Sequence, residues 1–179
     1  MGTDAGKSEE SLHAERFAAA YRELSPRVLG YLRLHGVDDP ESVTQDVFLA
    51  LYPRLPAVNG GEDGVRTLTF SIAHARLVDH HRAVSRRPTL VVLDPESDPR
   101  RVPSAEETHG ALTGEQNTLA LLDQLRADQR DAVSLRVVAE LSLAETAEVM
   151  GKSVGAVKQL QRRALEALRA LMAEGATHD

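Results

Sequence analysis

Lys158, Gln159, Arg162 and Arg163 stand at positions i, i+1, i+4 and i+5 of a run without a helix breaker. On a helix that spacing lines cationic and amide side chains along one face. These are the side chains that bond phosphate oxygens and base edges in the major groove of DNA. A second cluster, HARLVDHH, offers His74, Asp79, His80 and His81 as metal ligands. His74 and His81 would share a helical face, but His80 would point roughly 100° away from His81. A closed site would need ligands from elsewhere, so no metal, cofactor or catalytic residue is expected and the chain does not read as an enzyme. Cysteine is absent, which removes thiolate ligands, disulfides and a cysteine nucleophile together and fits a reducing cytoplasm.

The basic run needs elements to aim it, and the preceding residues supply them. Ser142 and Glu145 have the spacing of a capping box that opens a helix ending near Met150. Gly151 stands where a tight turn between two helices needs positive φ, and Ala147 is small where those helices would cross. Ser153 is placed to cap the second helix, with Val154, Val157, Leu160 or Ala164, and Leu168 as its buried stripe. The other face then carries Lys152, Ala156, Lys158, Gln159, Arg162 and Arg163. One basic helix alone would read as an ordinary solvated face. Two caps, a turn glycine and a small crossing residue in register make a DNA-binding helix-turn-helix the better reading.

The formal net charge of −6 is not evenly spread. Residues 1–63 hold six Lys or Arg against eleven Asp or Glu, whereas residues 64–87 hold five against one. Residues 141–173 hold five against three, with the basic residues concentrated after Gly151. Binding to a polyanion follows the local field, so an acidic total is compatible with two local DNA-facing stretches.

Helix punctuation is frequent along the chain and strand signals are scarce, which predicts an all-α fold. Ser25-Pro26 reads as an N-cap and first-turn proline, with Gly36 ending that helix. Asp39-Pro40 repeats the signal, and Val43, Val47, Phe48 and Leu51 share a face before Pro53. VNGGEDG, residues 58–64, reads as a loop; a long helix follows to Pro88, with Leu68, Ile72, Ala75 and Val78 at helical spacing. Residues 88–112 are proline-rich, acidic and aperiodic, and read as a linker. Thr113 with Gln116 starts a second helical domain, and Asp128 is expected to cap a helix through Val138. The expected organisation is therefore a first domain at 1–87, a linker at 88–112, a helix-turn-helix domain at 113–173 and a tail at 174–179. No run approaches the ~18 apolar residues of a membrane span, and a cytoplasmic protein is expected.

The segment LSLAETAEVMGKSVGAVKQLQRRAL resembles region four of bacterial sigma factors of the extracytoplasmic-function group, within the sigma-70 family. DDPESVTQDVFLALY resembles the segment by which sigma region two grips RNA polymerase, and VRTLTFSIAHARLVDHHR resembles the promoter-melting helix that follows it. The motifs occur in the family's order and together cover nearly the whole chain.

The resemblance implies a non-catalytic subunit that binds core RNA polymerase and directs it to promoter DNA, commonly held inactive by an anti-sigma factor. It assigns Asp39, Glu41, Gln45, Asp46 and Phe48 to core-polymerase binding. It assigns Asn59, Arg66, Arg76, Arg82, Arg86 and Arg87 to the minus-ten element, with the loop 59–64 where the family captures a flipped base. Lys152, Ser153, Ala156, Lys158, Gln159, Arg162 and Arg163 fall to the minus-thirty-five element. The chain departs from the common pattern at Leu68, where a Trp is usual, and at His74-Ala75, where Arg-Asn is usual. It departs again at Ala156, usually Thr, and at Gln159-Leu160-Gln161, where the family often has Ser-Arg-Leu. The alternative is a two-domain helix-turn-helix regulator that is not a sigma factor.

Overall fold

The computed structural model describes residues 3–86 and 120–175. Helix α1 spans Thr3–Leu34, α2 Pro40–Leu51, and a 3₁₀ segment Tyr52–Ala57 leads into α3, Gly61–Arg86. After a helical piece at 120–123 come α4, Ala127–Val137, α5, Leu143–Met150, and α6, Val154–Gly175. No strand occurs among the described residues, and none of their helices is long and apolar enough to cross a membrane.

Local chemistry sets several of these boundaries as expected. Asp39 accepts the backbone N–H of Ser42 at 3.0 Å and Pro40 occupies the first turn, so α2 starts where the cap places it. Gly36 has φ +66°, the left-handed turn that ends α1. Three boundaries differ from expectation. Pro26 lies inside α1, not at a helix start. Its missing N–H and ring are tolerated because Ala20, Leu24, Val28, Tyr31 and Leu32 form one buried stripe on both sides of it, and that packing outweighs the ~3 kcal/mol proline cost. Helix α3 begins at Gly61, so the loop after the 3₁₀ segment shrinks to residues 58–60. A Cβ on Gly64 would sit 1.9 Å from the Asn59 carbonyl oxygen, so only glycine lets that loop close onto α3. Finally α4 is flanked by Arg126, whose backbone N–H is taken by the Gln129 side chain at 3.2 Å; Asp128 lies in the first turn and is not the cap. Arg87, the linker 88–112 and the Thr113/Gln116 box lie outside the described residues.

The first three helices pack around Val28, Tyr31, Leu32, Val47, Leu51, Leu55, Phe70 and Ala73, all fully buried. Leu135, Ala139 and Leu141, from α4 and the α4–α5 turn, are equally buried and belong to this same core. The two halves of the chain are thus joined by a shared apolar contact. A smaller cluster of Leu122, Leu125, Val133 and Ala164 holds the last helices together. The joint explains a departure in α3, where burial runs around much of the helix through Val65, Thr67, Thr69, Phe70, Ile72, Ala73 and Leu77. One side of α3 faces α1 and α2, and another faces α5. The expected face misplaced Ala75, which is exposed.

Candidate nucleic-acid interface

The helix-turn-helix is built from short-range bonds. Ser142 Oγ accepts the Glu145 N–H at 3.2 Å, and the Glu145 carboxylate takes the Ser142 N–H at 2.6 Å. At the other end Gly151, φ +60°, turns the chain so that its own N–H reaches the Glu148 carbonyl at 3.1 Å and the Lys152 N–H reaches the Ala147 carbonyl at 2.9 Å. Ser153 Oγ then accepts the Ala156 N–H at 3.2 Å and opens α6. Val157 and Ala164 are fully buried against the fold, with Leu160 and Leu168 half-buried beside them. Val154 is 40% exposed, so the buried stripe starts one turn later than expected. At the helix entrance the first turn projects past the packing partners.

The polar face of α6 is open. Lys158, Gln159, Arg162 and Arg163 are exposed, and the nearest acidic partner is Glu166, 3.5 Å from Arg162 and still on the solvent side. Lys152 and Ala156 are half-buried, and Lys152 pairs with Asp128 at 3.2 Å. Ser153 is exposed but its hydroxyl is occupied in the cap. An exposed cationic and amide row on a capped helix, tied only by the solvent-side Arg162–Glu166 pair, can bond phosphates and base edges.

The second basic stretch lies on α3. Arg76, Arg82 and Arg86 are exposed, with Arg82 3.7 Å from Asp79. Arg66 is half-buried and bonded to Asp63. Asn59 is exposed in the short loop. Between these residues the helix is covered: Thr67 Oγ1 donates to Glu145 Oε1 at 3.0 Å, tying α3 to the first helix of the helix-turn-helix. Burial opposes ionisation of Glu145, but hydrogen bonds from Ser142 and Thr67 hold its carboxyl below the usual range.

On α2, Asp39, Glu41, Gln45 and Asp46 all face solvent, Glu41 in a 2.6 Å ion pair with Arg33. Phe48 departs from that row: it is 2% exposed, its ring packed edge-on against Tyr21 at 4.8 Å. Its position is that of a core residue, and the exposed apolar groups beside the acidic row are Leu49, Tyr52 and Tyr21. Helical periodicity placed Phe48 on the buried face; only the motif resemblance moved it outside.

The histidines settle into structural roles. The Tyr31 hydroxyl and His74 Nδ1 share a hydrogen bond of 2.9 Å, and burial lowers the His74 pKa. His35 is buried 3.5 Å from Asp131; burial, then the positive charge of Arg130, holds its pKa down at about 3. Burial, then the neighbouring Asp128, raises Asp131 to about 6. No group of three His, Asp or Glu suited to a metal forms among the described residues. Sequence reasoning missed the Tyr31–His74, Thr67–Glu145 and His35–Asp131 pairs, which join residues 43 to 96 positions apart and leave no periodic trace.

The family model of sigma-70 region 4 matches residues 121–170, the stretch that holds this helix-turn-helix. The chain is 32% identical over 170 residues to the ECF RNA polymerase sigma factor BldN of Streptomyces coelicolor, a match covering 91% of this chain and 62% of that one. It is 33% identical over 134 residues to the ECF RNA polymerase sigma factor ShbA of Streptomyces griseus, covering 73% of this chain and 70% of that one. The chain belongs to the ECF sigma factors. The fold is also similar to that of CnrH, solved in complex with the cytosolic domain of CnrY, with a TM-score of 0.64 at 22% identity, over 91% of this chain and 96% of that one. Within this ECF sigma factor the capped α5–turn–α6 unit lies inside the stretch that the region 4 model matches.

Proposed function

We propose that the chain is an alternative sigma factor that binds core RNA polymerase and directs promoter-specific initiation in the cytoplasm, without catalysing a reaction itself. The observation that carries this reading is the exposed Lys158, Gln159, Arg162 and Arg163 row on a fully capped helix-turn-helix. That row reads the minus-thirty-five element, with Lys152, Ser153 and Ala156 near phosphates at the helix entrance. Residues 113–173 are the region 4 domain and residues 1–87 the region 2 domain. Asp39, Glu41, Gln45 and Asp46 form an acidic row that meets cations on the polymerase, and the exposed Tyr21, Leu49 and Tyr52 extend it with apolar area. Phe48 supports this surface from beneath. Asn59, Arg66, Arg76, Arg82, Arg86 and Arg87 serve the minus-ten element, where positive charge favours a displaced strand. Solved relatives such as CnrH are bound by a second protein, and by that analogy an anti-sigma factor covers one of these surfaces.

Transcription with purified core polymerase on a pool of genomic promoter fragments tests the reading. Specific transcripts that require this chain are expected. A stable complex with core that yields no transcript from any fragment would overturn it, and transcripts appearing only when another sigma factor is added would favour the regulator reading.

A further inference from the structure

Helix α1 meets the segment after α2 with polar groups as well as apolar ones. His13 Nε2 lies 2.9 Å from the Tyr52 carbonyl oxygen, and its ring stacks on the Tyr52 ring at 4.3 Å. Nearly one turn further along α1, Arg16 Nη1 donates to the Leu55 carbonyl at 3.0 Å and Nη2 to the Val58 carbonyl at 3.3 Å. The end of a helix leaves its last carbonyls without intrahelical partners, and a cation placed there also meets the negative end of the peptide dipoles. The Leu55 carbonyl already accepts the Val58 N–H at 3.2 Å, so Arg16 adds a second bond to it and a further one at Val58. Arg16 is half-buried, and its planar fork fixes two carbonyls relative to each other, which a single-point cation does not.

The segment held in this way runs directly into the loop 58–60. Gly60 and Gly61 have φ of +85° and +62°. Glycine permits such a reversal but does not hold it, because it leaves the backbone more freedom than any other residue. On the far side of the loop the Gly64 N–H reaches the Gly60 carbonyl at 3.2 Å. On the near side packing gives less support. The small residues Ala19, Ala20 and Gly61 line a cavity of about 280 Å³ between α1 and the start of α3, with Arg16, Glu23 and Glu62 also on its walls. Asn59, exposed, is the residue immediately after the carbonyl that Arg16 holds.

We propose that Arg16 is a positioning residue for the minus-ten site: from α1 its guanidinium clamps the entrance of the loop 58–60, so that Asn59 is presented at the start of α3 before DNA arrives. The inference rests on the sigma-factor reading for the role of Asn59, but the clamp itself is tested on the free chain. Arg16→Met keeps the apolar stem and removes both bonds; Arg16→Lys keeps the charge and reaches a carbonyl at one point only. Backbone amide hydrogen exchange at Val58 and Gly64 reads the loop, because their N–H groups are bonded at its two ends. Arg16→Met should speed exchange there at least ~10-fold, as for loss of a hydrogen bond from a charged donor, with Arg16→Lys in between. The Val43 amide, bonded to the Asp39 carbonyl at the start of α2, should stay within about twofold of the parent.

The complex with core polymerase is then given two DNA probes from a promoter that the chain transcribes. One is mismatched across the minus-ten element so that it is already melted, and the other is a duplex carrying the minus-thirty-five element alone. Arg16→Met should bind the melted probe at least ~10-fold more weakly and the duplex within about twofold of the parent, with partial recovery in Arg16→Lys. Unchanged exchange at Val58 and Gly64 in Arg16→Met would overturn the clamp. A loosened loop that still binds the melted probe as the parent does would overturn its role at the minus-ten site, and equal losses on both probes would mark general damage and overturn it as well. A parent that transcribes no promoter defeats the sigma reading and with it the role of Asn59, while exchange still decides the clamp.

Discussion

Replacing Gly151 isolates how much the helix-turn-helix depends on one backbone angle. Its φ is +60°, and a Cβ added there meets no heavy atom within 4 Å. Gly151→Ala therefore introduces no clash, and its whole cost is the left-handed penalty of an L-residue, about 1–2 kcal/mol. The turn has no ready alternative, because the N–H groups of Gly151 and Lys152 are both committed to carbonyls of the last turn of α5. Urea unfolding should show midpoints falling in the order Gly, Asn, Ala, Val, since Asn tolerates this region and a β-branched residue does not. The slope of the transition should not change. Because the folded turn is retained, promoter affinity measured below the midpoint should change less than twofold. An alanine variant as stable as the parent, or one losing more than ~3 kcal/mol, would refute the claim that strain alone sets the cost.

Other outcomes follow from the same geometry. Ser142→Ala removes one half of the box that opens α5 and should cost about 1 kcal/mol by thermal or urea unfolding. Arg162→Ala or Arg163→Ala should lower the log-affinity versus log-salt slope for promoter DNA by about 0.9 if the side chain meets a phosphate, or relax preference at one base pair by about 1–3 kcal/mol if it reads a base; unchanged affinity at every salt removes that residue from the site. The His35–Asp131 pair gives a pH signature. As pH falls below 6.5, an unfolded His35 takes a proton that the folded one, held at about 3, does not, and stability is lost. Between about 6 and 3.8 a folded Asp131 takes a proton before the unfolded one, and stability is gained. The two oppose each other in the parent. Asp131→Asn removes the gain and should lose about 1 kcal/mol relative to the parent between pH 7 and 5, in buffers matched for ionic strength, while His35→Gln should change in the opposite direction.

Pro26 and Phe48 show where reading by local rule reached its end. Proline after serine is a helix-start signal over two residues, but the stripe Ala20, Leu24, Val28, Tyr31 and Leu32 runs across it, and a core spanning both sides overrode the local preference. Phe48 carried two conflicting signals, a period that buried it and a motif that exposed it, and packing against Tyr21 decided for the period. Thr67 and Thr69 look like surface residues of a basic helix; they are buried because α3 is packed from more than one side, and their hydroxyls reach Glu145 and the Val65 carbonyl.

The sequence by itself determined the helix-turn-helix. Its caps, its turn glycine and its exposed row depend on residues three to five positions apart, and bonds over that range are fixed by composition and spacing before any tertiary contact forms. It likewise determined the Asp39 cap and the acidic face of α2. Only the tertiary structure decided how the two halves meet. Gly30 beside Val138 and Arg27 beside Glu140 lie more than a hundred residues apart in the chain, and nothing in the period of either segment encodes the other. The left-handed φ of Glu140 belongs to a local cap, in which the Leu141 N–H reaches the Leu135 carbonyl at 3.1 Å and closes α4; only the fold decides that the carboxylate at that cap meets Arg27 across the joint, at 2.7 Å.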